Sequence, residues 1–369
     1  MSREAIVSLT RSLVAIPSHD DETAAGDFIA RWLREETDAT VRRDDAGNVI
    51  ARRQPAAAAT TTAPPTLALV GHHDVVPPAD EQLDADGNYH IDHRDGRLYG
   101  RGTADMKGAL AAALLAVRDA DPATELVFAS FVGEEQGGIG AQAAIDEGFA
   151  PDTAIVTEGS TGYSADGVTD VAVAHKGRRG STLTASGTAG HASRPDDADN
   201  AIYRACDAVD VVRGLDAPET TVLGNELSGS IAVTEIDGGS AWNVIPDRCT
   251  VTIDERTVPG ERADLAAAES IAGVEWTVDQ DLPPMACEDP AFANRVLAAA
   301  DAVQPGEPQQ VVKPHATDAG WLANADTDCV VCGAAEPGEA HTATESVSID
   351  VLERCYELYR RIATGEQSE

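Results

Sequence analysis

Short clusters of histidine and carboxylate punctuate the sequence, and each one follows an apolar run. Gly71-His72-His73-Asp74 comes directly after Thr66-Leu-Ala-Leu-Val70. In an extended chain, residues i and i+2 face the same side. His72 and Asp74 can therefore work together, the imidazole as a ligand and the carboxylate orienting it, since ligating imidazoles usually donate their other N–H to a carboxylate or carbonyl. His73 should face away. Glu134-Glu135 follow the run Glu125–Val132. Two adjacent carboxylates repel unless a cation is near. They also point in different directions, so one can hold a metal while the other handles a proton of water. Glu158 follows Ala154–Thr157 in the same way. Asp105 lies in the glycine-rich stretch Gly100–Gly108 at the entry to a helix, and His341 lies in a polar loop. Each has a plainer reading: Asp105 as an N-cap, the Glu pair as a solvated acidic turn, His341 as a surface histidine. A nucleotide loop is excluded at Gly100, because Gly-x-Gly-x-x is followed by Asp105 where a third glycine is needed. Together, two histidines and three carboxylates, with a spare Glu and a spare Asp, form a ligand set for two divalent cations ~3.5–4 Å apart, bridged by one carboxylate and one water.

The elements that must position these residues are legible from hydrophobic pattern. Residues 3–36 read as helix, broken by a turn at Pro17–Asp20. Residues 41–52 read as a strand pair turning at Asp45–Gly47, and residues 56–65 as a low-complexity surface loop. Buried strands at 66–70, 125–132 and 154–157, with a helix at 107–117, give an open α/β order whose sites lie beyond the carboxyl ends of the strands. From residue 178 the pattern changes. Strands at 181–185, 229–236, 248–254 and 274–279, with helices at 200–212 and 262–271, spell βαββαβ, a ferredoxin-like sandwich. After Pro283-Pro284 the chain returns to a helix at 290–302, a buried strand at 329–332 and a terminal helix at 349–362. The expected fold is α/β: an open, mostly parallel sheet flanked by helices, residues 1–177 and 283–369, with an inserted ferredoxin-like α+β domain at 178–282. Cys329 and Cys332 are the only Cys-x-x-Cys. On a strand they point to opposite faces, which favours core thiols over a redox or zinc site.

Composition narrows the function. The 369 residues are 43% hydrophobic, enough for a sizeable core, and carry 63 Asp+Glu against 27 Lys+Arg, a net charge of -36. That balance argues against nucleic acid or an anionic membrane as partner. Lysine occurs only at 107, 176 and 313. Dense carboxylates with almost no lysine point to a halophile's protein, in which salt screens the self-repulsion. The N-terminus lacks an apolar signal core, and no run of ~18 apolar residues exists. The expected location is the cytoplasm.

In order, GHHDVVP, GRGTADMKG, GEE, TEG, GHASRP, NVIPD, DERTVP and the late HTATE resemble the acetylornithine deacetylase/succinyl-diaminopimelate desuccinylase family, co-catalytic zinc amidohydrolases related to glutamate carboxypeptidases and aminoacylases. The resemblance runs from about residue 5 to 362. It implies that His72 and Glu158 hold one metal and Glu135 and His341 the other, with Asp105 bridging beside a cis peptide. Asp74 would orient His72, and Glu134 would be the general base for a metal-bridging hydroxide. It implies two Zn2+ per chain, with Co2+ or Mn2+ as substitutes, and a homodimer formed through the inserted domain as lid. His191 would reach the partner subunit's active site to polarise the scissile carbonyl. Arg256 and Asn243 resemble the family's substrate contacts, and Arg178 and Thr317 are further substrate candidates, with a structural hinge and a turn as their plainer roles.

The sequence departs from the desuccinylase pattern in three places: Arg194 stands for a tyrosine, Trp242 for the first of two asparagines, and His175 for a lysine. The expected activity is hydrolysis of the amide of an N-acyl amino acid, of acetylornithine or succinyl-diaminopimelate type. The alternatives are a di- or carboxypeptidase on the same centre and, from another class, a catalytically silent binding homologue.

Overall fold

A computed structural model describes residues 2–55 and 65–366. The loop expected at 56–65 lies, but for Pro65, outside the described residues. The chain forms two compact units: residues 1–174, 285–313 and 317–369, and residues 175–284 with 314–316.

The first unit opens with α1 (Arg3–Val14) and α2 (Thr23–Glu36). Ser2 caps α1 by accepting the Ala5 N–H. A hairpin follows, β1 (Thr40–Arg43) and β2 (Val49–Arg53), then β3 (Thr66–His72). Next come α3 (Gly108–Asp119), β4 (Glu125–Phe131), α4 (Ile139–Asp146) and β5 (Thr153–Val156). β3 pairs in parallel with both β4 and β5. A late strand, Asp328–Val331, extends the parallel set on the far side of β5. β3 to β5 are buried almost throughout, as expected for strands covered by helices on both faces. The helix Ile349–Thr364 closes the chain. Cys329 and Cys332 are free and buried, core thiols beside Val330 and Val331. Among the described residues, no helix is long and apolar enough to cross a membrane.

In the second unit, β6 (Val171–His175, which begins in the first unit) leads into β7 (Gly177–Ser186). Then come α5 (Ala201–Arg213), β8 (Ser230–Gly238), β9 (Arg248–Thr257) and β10 (Val274–Leu282). The sheet order is β8-β9-β7-β10, antiparallel throughout, the ferredoxin-like arrangement. Ala201, Ala205, Ala208 and Val212 of α5 pack on Leu183, Val251 and Ile253. The helix expected over 262–271 is instead a 3-10 turn, Leu265–Ser270. Only Leu265 and Ala268 are buried there, three residues apart, and Asp264 makes no capping bond. So short a segment has too few hydrogen bonds to offset α-helix nucleation. A hairpin of Glu219–Val222 with Asn225–Ser228 was not expected. Its tip, Leu223-Gly224, has both φ angles positive (47° and 85°), the twist that two-residue hairpins need.

Further elements of the first unit are β11 (Met285–Ala286), α6 (Pro290–Asp301), β12 (Gln310–Lys313), α7 (Asp318–Asn324), β13 (Asp328–Val331) and α8 (Ile349–Thr364), and a small separate sheet of Asp92–Arg94, Arg97–Tyr99 and Ser346–Ser348. The full sheet runs β1-β2-β4-β3-β5-β13-β6-β11, with β12 paired to β6. The parallel strands β4, β3, β5 and β13 sit in its centre, and antiparallel strands lie on either side.

Leu69, fully buried on β3, tests this core. Leu69→Ala is expected to cost ~2–5 kcal/mol, read as a lower urea midpoint with an unchanged cation content.

Candidate metal centre

The carboxyl ends of β4, β3 and β5 lie side by side, and each carries a polar turn. His72 is the last residue of β3. Its Nδ1 meets only acceptors, the Asp74 carbonyl at 3.1 Å and Asp74 Oδ1 at 3.3 Å. Asp74 thus holds a proton on Nδ1, which would leave Nε2 to ligate once a cation replaced any proton on it. Nε2 faces Asp105 Oδ1 at 3.1 Å and Glu158 Oε1 at 3.2 Å. His73 turns the other way, as expected, with Nδ1 on the Ser130 hydroxyl at 2.8 Å, and burial pushes it down to about 3, so it is neutral.

Asp105 lies in a tight turn, Thr103–Lys107, with non-helical backbone (φ -127°, ψ 96°) and a cis bond to Met106. It does not cap α3: the N-cap there is Lys107, with no side-chain bond. Its second oxygen, Oδ2, faces His341 Nε2 at 3.0 Å. His341 Nε2 also meets Glu135 Oε1 at 2.9 Å. One carboxylate thus faces two imidazoles, one through each oxygen. His341 is no bystander on the surface. It is half exposed, but it has a positive φ of 61°, a conformation that non-glycine residues adopt only where the surroundings impose it.

Glu134 and Glu135 follow β4. The turn is tied down by Asn48, whose Oδ1 accepts the Val132 N–H at 3.0 Å and whose amide donates to the Gly140 carbonyl at 2.9 Å. A Cβ at Gly140 would lie 2.4 Å from both Asn48 Oδ1 and the Val132 carbonyl, so no other residue fits. The Glu135 N–H donates to Asp74 Oδ2 at 3.0 Å, so one Asp74 carboxylate fixes both an imidazole and this turn. Glu134 lies beside His72 and Glu158, their ligating atoms within 4.8 Å of one another. Neither glutamate belongs to a solvated turn.

The electrostatics are those of a cluster short of cations. Burial pushes Glu134 well above the usual carboxylate range, and Glu158, Asp318 and Asp105 add to it. Burial likewise raises Glu135. Burial alone would lower His72, but Asp74, Asp105 and Glu158 overcome it and raise the imidazole well above its ordinary value. Hydrogen bonds to Asp105 and Glu135 lift His341 to about 10. The bare site draws protons onto its imidazoles to offset its carboxylates. Divalent cations can take that role. With bonds of ~2.0–2.1 Å, a tetrahedral cation places its donors about 3.3 Å apart, and the contacts above run from 2.9 to 3.2 Å. The groups whose ligating atoms lie within 4.8 Å of one another are His72, Glu134 and Glu158, and Asp105, Glu135 and His341; Asp105 also reaches His72 Nε2, so it can serve either set. Three protein donors per ion is the pattern of catalytic sites, which keep a position open.

The second unit carries the remaining candidates. Gly190 and His191 pair with Ile245 and Val244, and the Ala192 N–H donates to the Asn243 carbonyl at 3.0 Å, so this ladder brings His191 and Asn243 together. Both are exposed. Arg178 and Arg256 are cross-strand neighbours sharing one carboxylate: Asp254 accepts from Arg178 Nε at 2.7 Å and from Arg256 Nε at 2.8 Å. Thr317 in the first unit caps α7, accepting the Ala319 N–H.

Several residues of the site carried no role in the sequence reading. Glu345 is buried. It accepts the Ala104 and Asp105 N–H groups at 3.0 and 3.2 Å and pairs with Arg101 at 2.5 Å, clamping the turn that presents Asp105. Its only signal was its place four residues after His341. Asp318 lies buried among the site carboxylates, and burial lifts it to about 8. Lys313 reaches Glu158.

The profile of Peptidase family M20/M25/M40 matches residues 68–365. An acetylornithine deacetylase of Myxococcus xanthus is 28% identical over 319 residues, 80% of this chain and 78% of that protein. A succinyl-diaminopimelate desuccinylase of Erythrobacter litoralis is 29% identical over 321 residues, 82% of this chain and 81% of that protein. Among solved structures, the aminopeptidase PepT of Bacillus cereus has the same fold, with a TM-score of 0.81 at 20% identity over 99% of this chain and 98% of that one.

Asp74→Ala removes the partner of both His72 and the Glu135 turn. It is expected to weaken Zn2+ binding ~10–100-fold, measured by chelator competition.

Proposed function

The chain belongs to peptidase family M20/M25/M40, and from that premise we propose that it hydrolyses the amide bond of an N-acyl amino acid, releasing a carboxylic acid and a free amine. Two divalent cations, zinc in the first instance, would be held by His72, Glu158 and Asp105 and by His341, Glu135 and Asp105. The observation that carries the reading is Asp105, whose two oxygens lie 3.1 Å and 3.0 Å from the Nε2 atoms of His72 and His341. The acyl amino acid is favoured as substrate class by the deacetylase and desuccinylase relatives, each matched over most of its length.

When bound, the cations supply Lewis acidity at the scissile carbonyl and lower the pKa of an attacking water. Glu134 takes the proton of that water and returns it to the leaving amine. Its burial among other carboxylates makes it a stronger base than a surface glutamate. Asp74 holds the His72 tautomer that keeps Nε2 available. In the homodimer, His191 would reach the active site of the partner subunit and donate a ring N–H to the developing oxyanion there, a contribution of ~3–4 kcal/mol by analogy with other oxyanion donors. Arg256 and Arg178 receive the carboxylate of the amino-acid half, to which a guanidinium forks well, and Asn243 contacts its backbone.

The second unit is read as lid and homodimer surface. β8 is an edge strand, exposed along most of its length. Ile236 and Val233 are exposed on it, and Tyr203 and Trp242 are 70% and 99% exposed elsewhere on the unit. An open strand edge with large apolar side chains nearby invites pairing.

Elemental analysis should find about two metals per chain, with hydrolysis lost to chelators. Glu134→Gln should lower kcat ~10²–10⁴-fold with both metals retained; undiminished hydrolysis in that variant would remove Glu134 as the general base, and no hydrolysis of any substrate by the metal-loaded wild type would leave only a binding protein. A panel of N-acetyl-ornithine, N-succinyl-diaminopimelate and dipeptides, run in multimolar KCl, fixes the acyl group, and preference for dipeptides would make the enzyme a peptidase. Ile236→Lys should convert a dimer to monomer in sedimentation.

A further inference from the structure

One cation of the chain itself reaches the donor sets. Lys313 ends β12, and its Nζ lies 3.5 Å from Glu158 Oε2, with the two side chains only 8% and 11% exposed. The other oxygen, Oε1, faces His72 Nε2 at 3.2 Å. The two oxygens of Glu158 are thus divided between an imidazole and an ammonium. The carboxylates acting on Lys313 are those of Glu158, Asp105 and Glu134. Such a placement is conspicuous in a sequence with lysine only at 107, 176 and 313. Lys107, also buried, is committed elsewhere, to the Ile16 carbonyl at 2.7 Å.

The second donor set has no such companion. Among the described residues, Glu135 forms an ion pair with His341 and with no lysine or arginine. The two sets are alike in donor chemistry, one imidazole, one glutamate and a share of Asp105, but unlike in charge.

We propose that Lys313 is a positioning residue that limits Glu158 to a single ligating oxygen and makes the cation site of His72, Glu158 and Asp105 the weaker and more electron-poor of the two. This rests on the two-cation reading above. The ammonium holds Oε2 by a charge-assisted contact, so a bidentate carboxylate would require that contact to break. Its positive charge also opposes a divalent ion across a short, poorly screened distance. A glutamate shared with an ammonium donates less charge to a metal than one bound to it alone. The cation on the His72 side is then the better Lewis acid and the easier of the two to lose.

The test is stepwise Zn2+ binding by chelator competition on the full-length protein. The wild type should show two unequal constants. Lys313→Gln, which removes the charge and keeps an N–H donor on a shorter stem, should tighten the weaker step about tenfold or more and leave the tighter step in place. Lys313→Arg should keep the wild-type gap. A lysine that merely supported the fold would give the opposite sign, weaker binding in both variants. A gap unchanged or widened in Lys313→Gln overturns the inference. A crystal structure of the zinc-loaded wild type decides independently of any variant's folding. One Glu158 oxygen on the metal with Lys313 on the other supports the proposal, and both oxygens on the metal overturn it while leaving two bound cations in place. A wild type that binds no zinc defeats the two-cation reading and this inference with it.

Discussion

The site depends on one carboxylate facing two imidazoles. Asp105 presents Oδ1 to His72 and Oδ2 to His341, each near 3 Å. Unaided, Asp105, Glu134, Glu135 and Glu158 would drive one another apart, since buried like charges are costly unless paired. The architecture around them opposes that. Asp74 locks an imidazole and a turn with one side chain. Glu345 holds the turn of Asp105 through two backbone N–H groups and is itself neutralised by Arg101. Lys313 shares Glu158. The geometry belongs to these supports as much as to the ligands, which is how outer partners usually act at metal sites.

Backbone placement comes from the parallel sheet. Strands in register deliver their carboxyl ends to one edge, so His72, Glu134, Glu135 and Glu158 start from neighbouring points although they are far apart in sequence. Glycines allow the close approaches this needs. At Gly333, a Cβ would lie 2.1 Å from the Thr157 carbonyl, so only glycine lets the end of β13 lie against the turn that carries Glu158.

What could be read in advance follows the same division. β3, β4 and β5 were legible because a buried parallel strand is a short unbroken apolar run, and each run ended in the polar residues that became the site. The first and last helices showed a three-to-four residue period, whereas α3 was legible as a continuous Ala/Leu run. The segment 262–271 misled because its alanines favour helix, whereas the structure has only a six-residue 3-10 turn. The Leu223-Gly224 hairpin was missed because leucine is a poor advertisement for a positive φ. Among the site residues, His72, Asp105, Glu135, Glu158 and His341 stood out by type and place. Glu345 and Lys313 did not, because their work is to hold another side chain, and nothing in their local sequence says which one they will meet. That depends on contacts between residues 240 and 155 positions apart.

The division of labour between the units bears on specificity. The donor sets lie wholly in the first unit, His72, Glu135 and Glu158 at strand ends and Asp105 and His341 in turns. The second unit holds Arg178 and Arg256 on adjacent strands, sharing Asp254. Two guanidiniums on one carboxylate retain a net positive charge, and their influence holds the Asp254 carboxyl below its usual range despite partial burial. Asp254 therefore stays ionised and keeps both guanidiniums fixed, so less side-chain entropy is lost when an anion arrives. One additional carboxylate would neutralise the trio, and a second would leave it in charge deficit. On this arithmetic the trio has room for one further carboxylate and no more. Fold and strand-end motifs therefore identify the chemistry of the first unit far better than they identify a substrate.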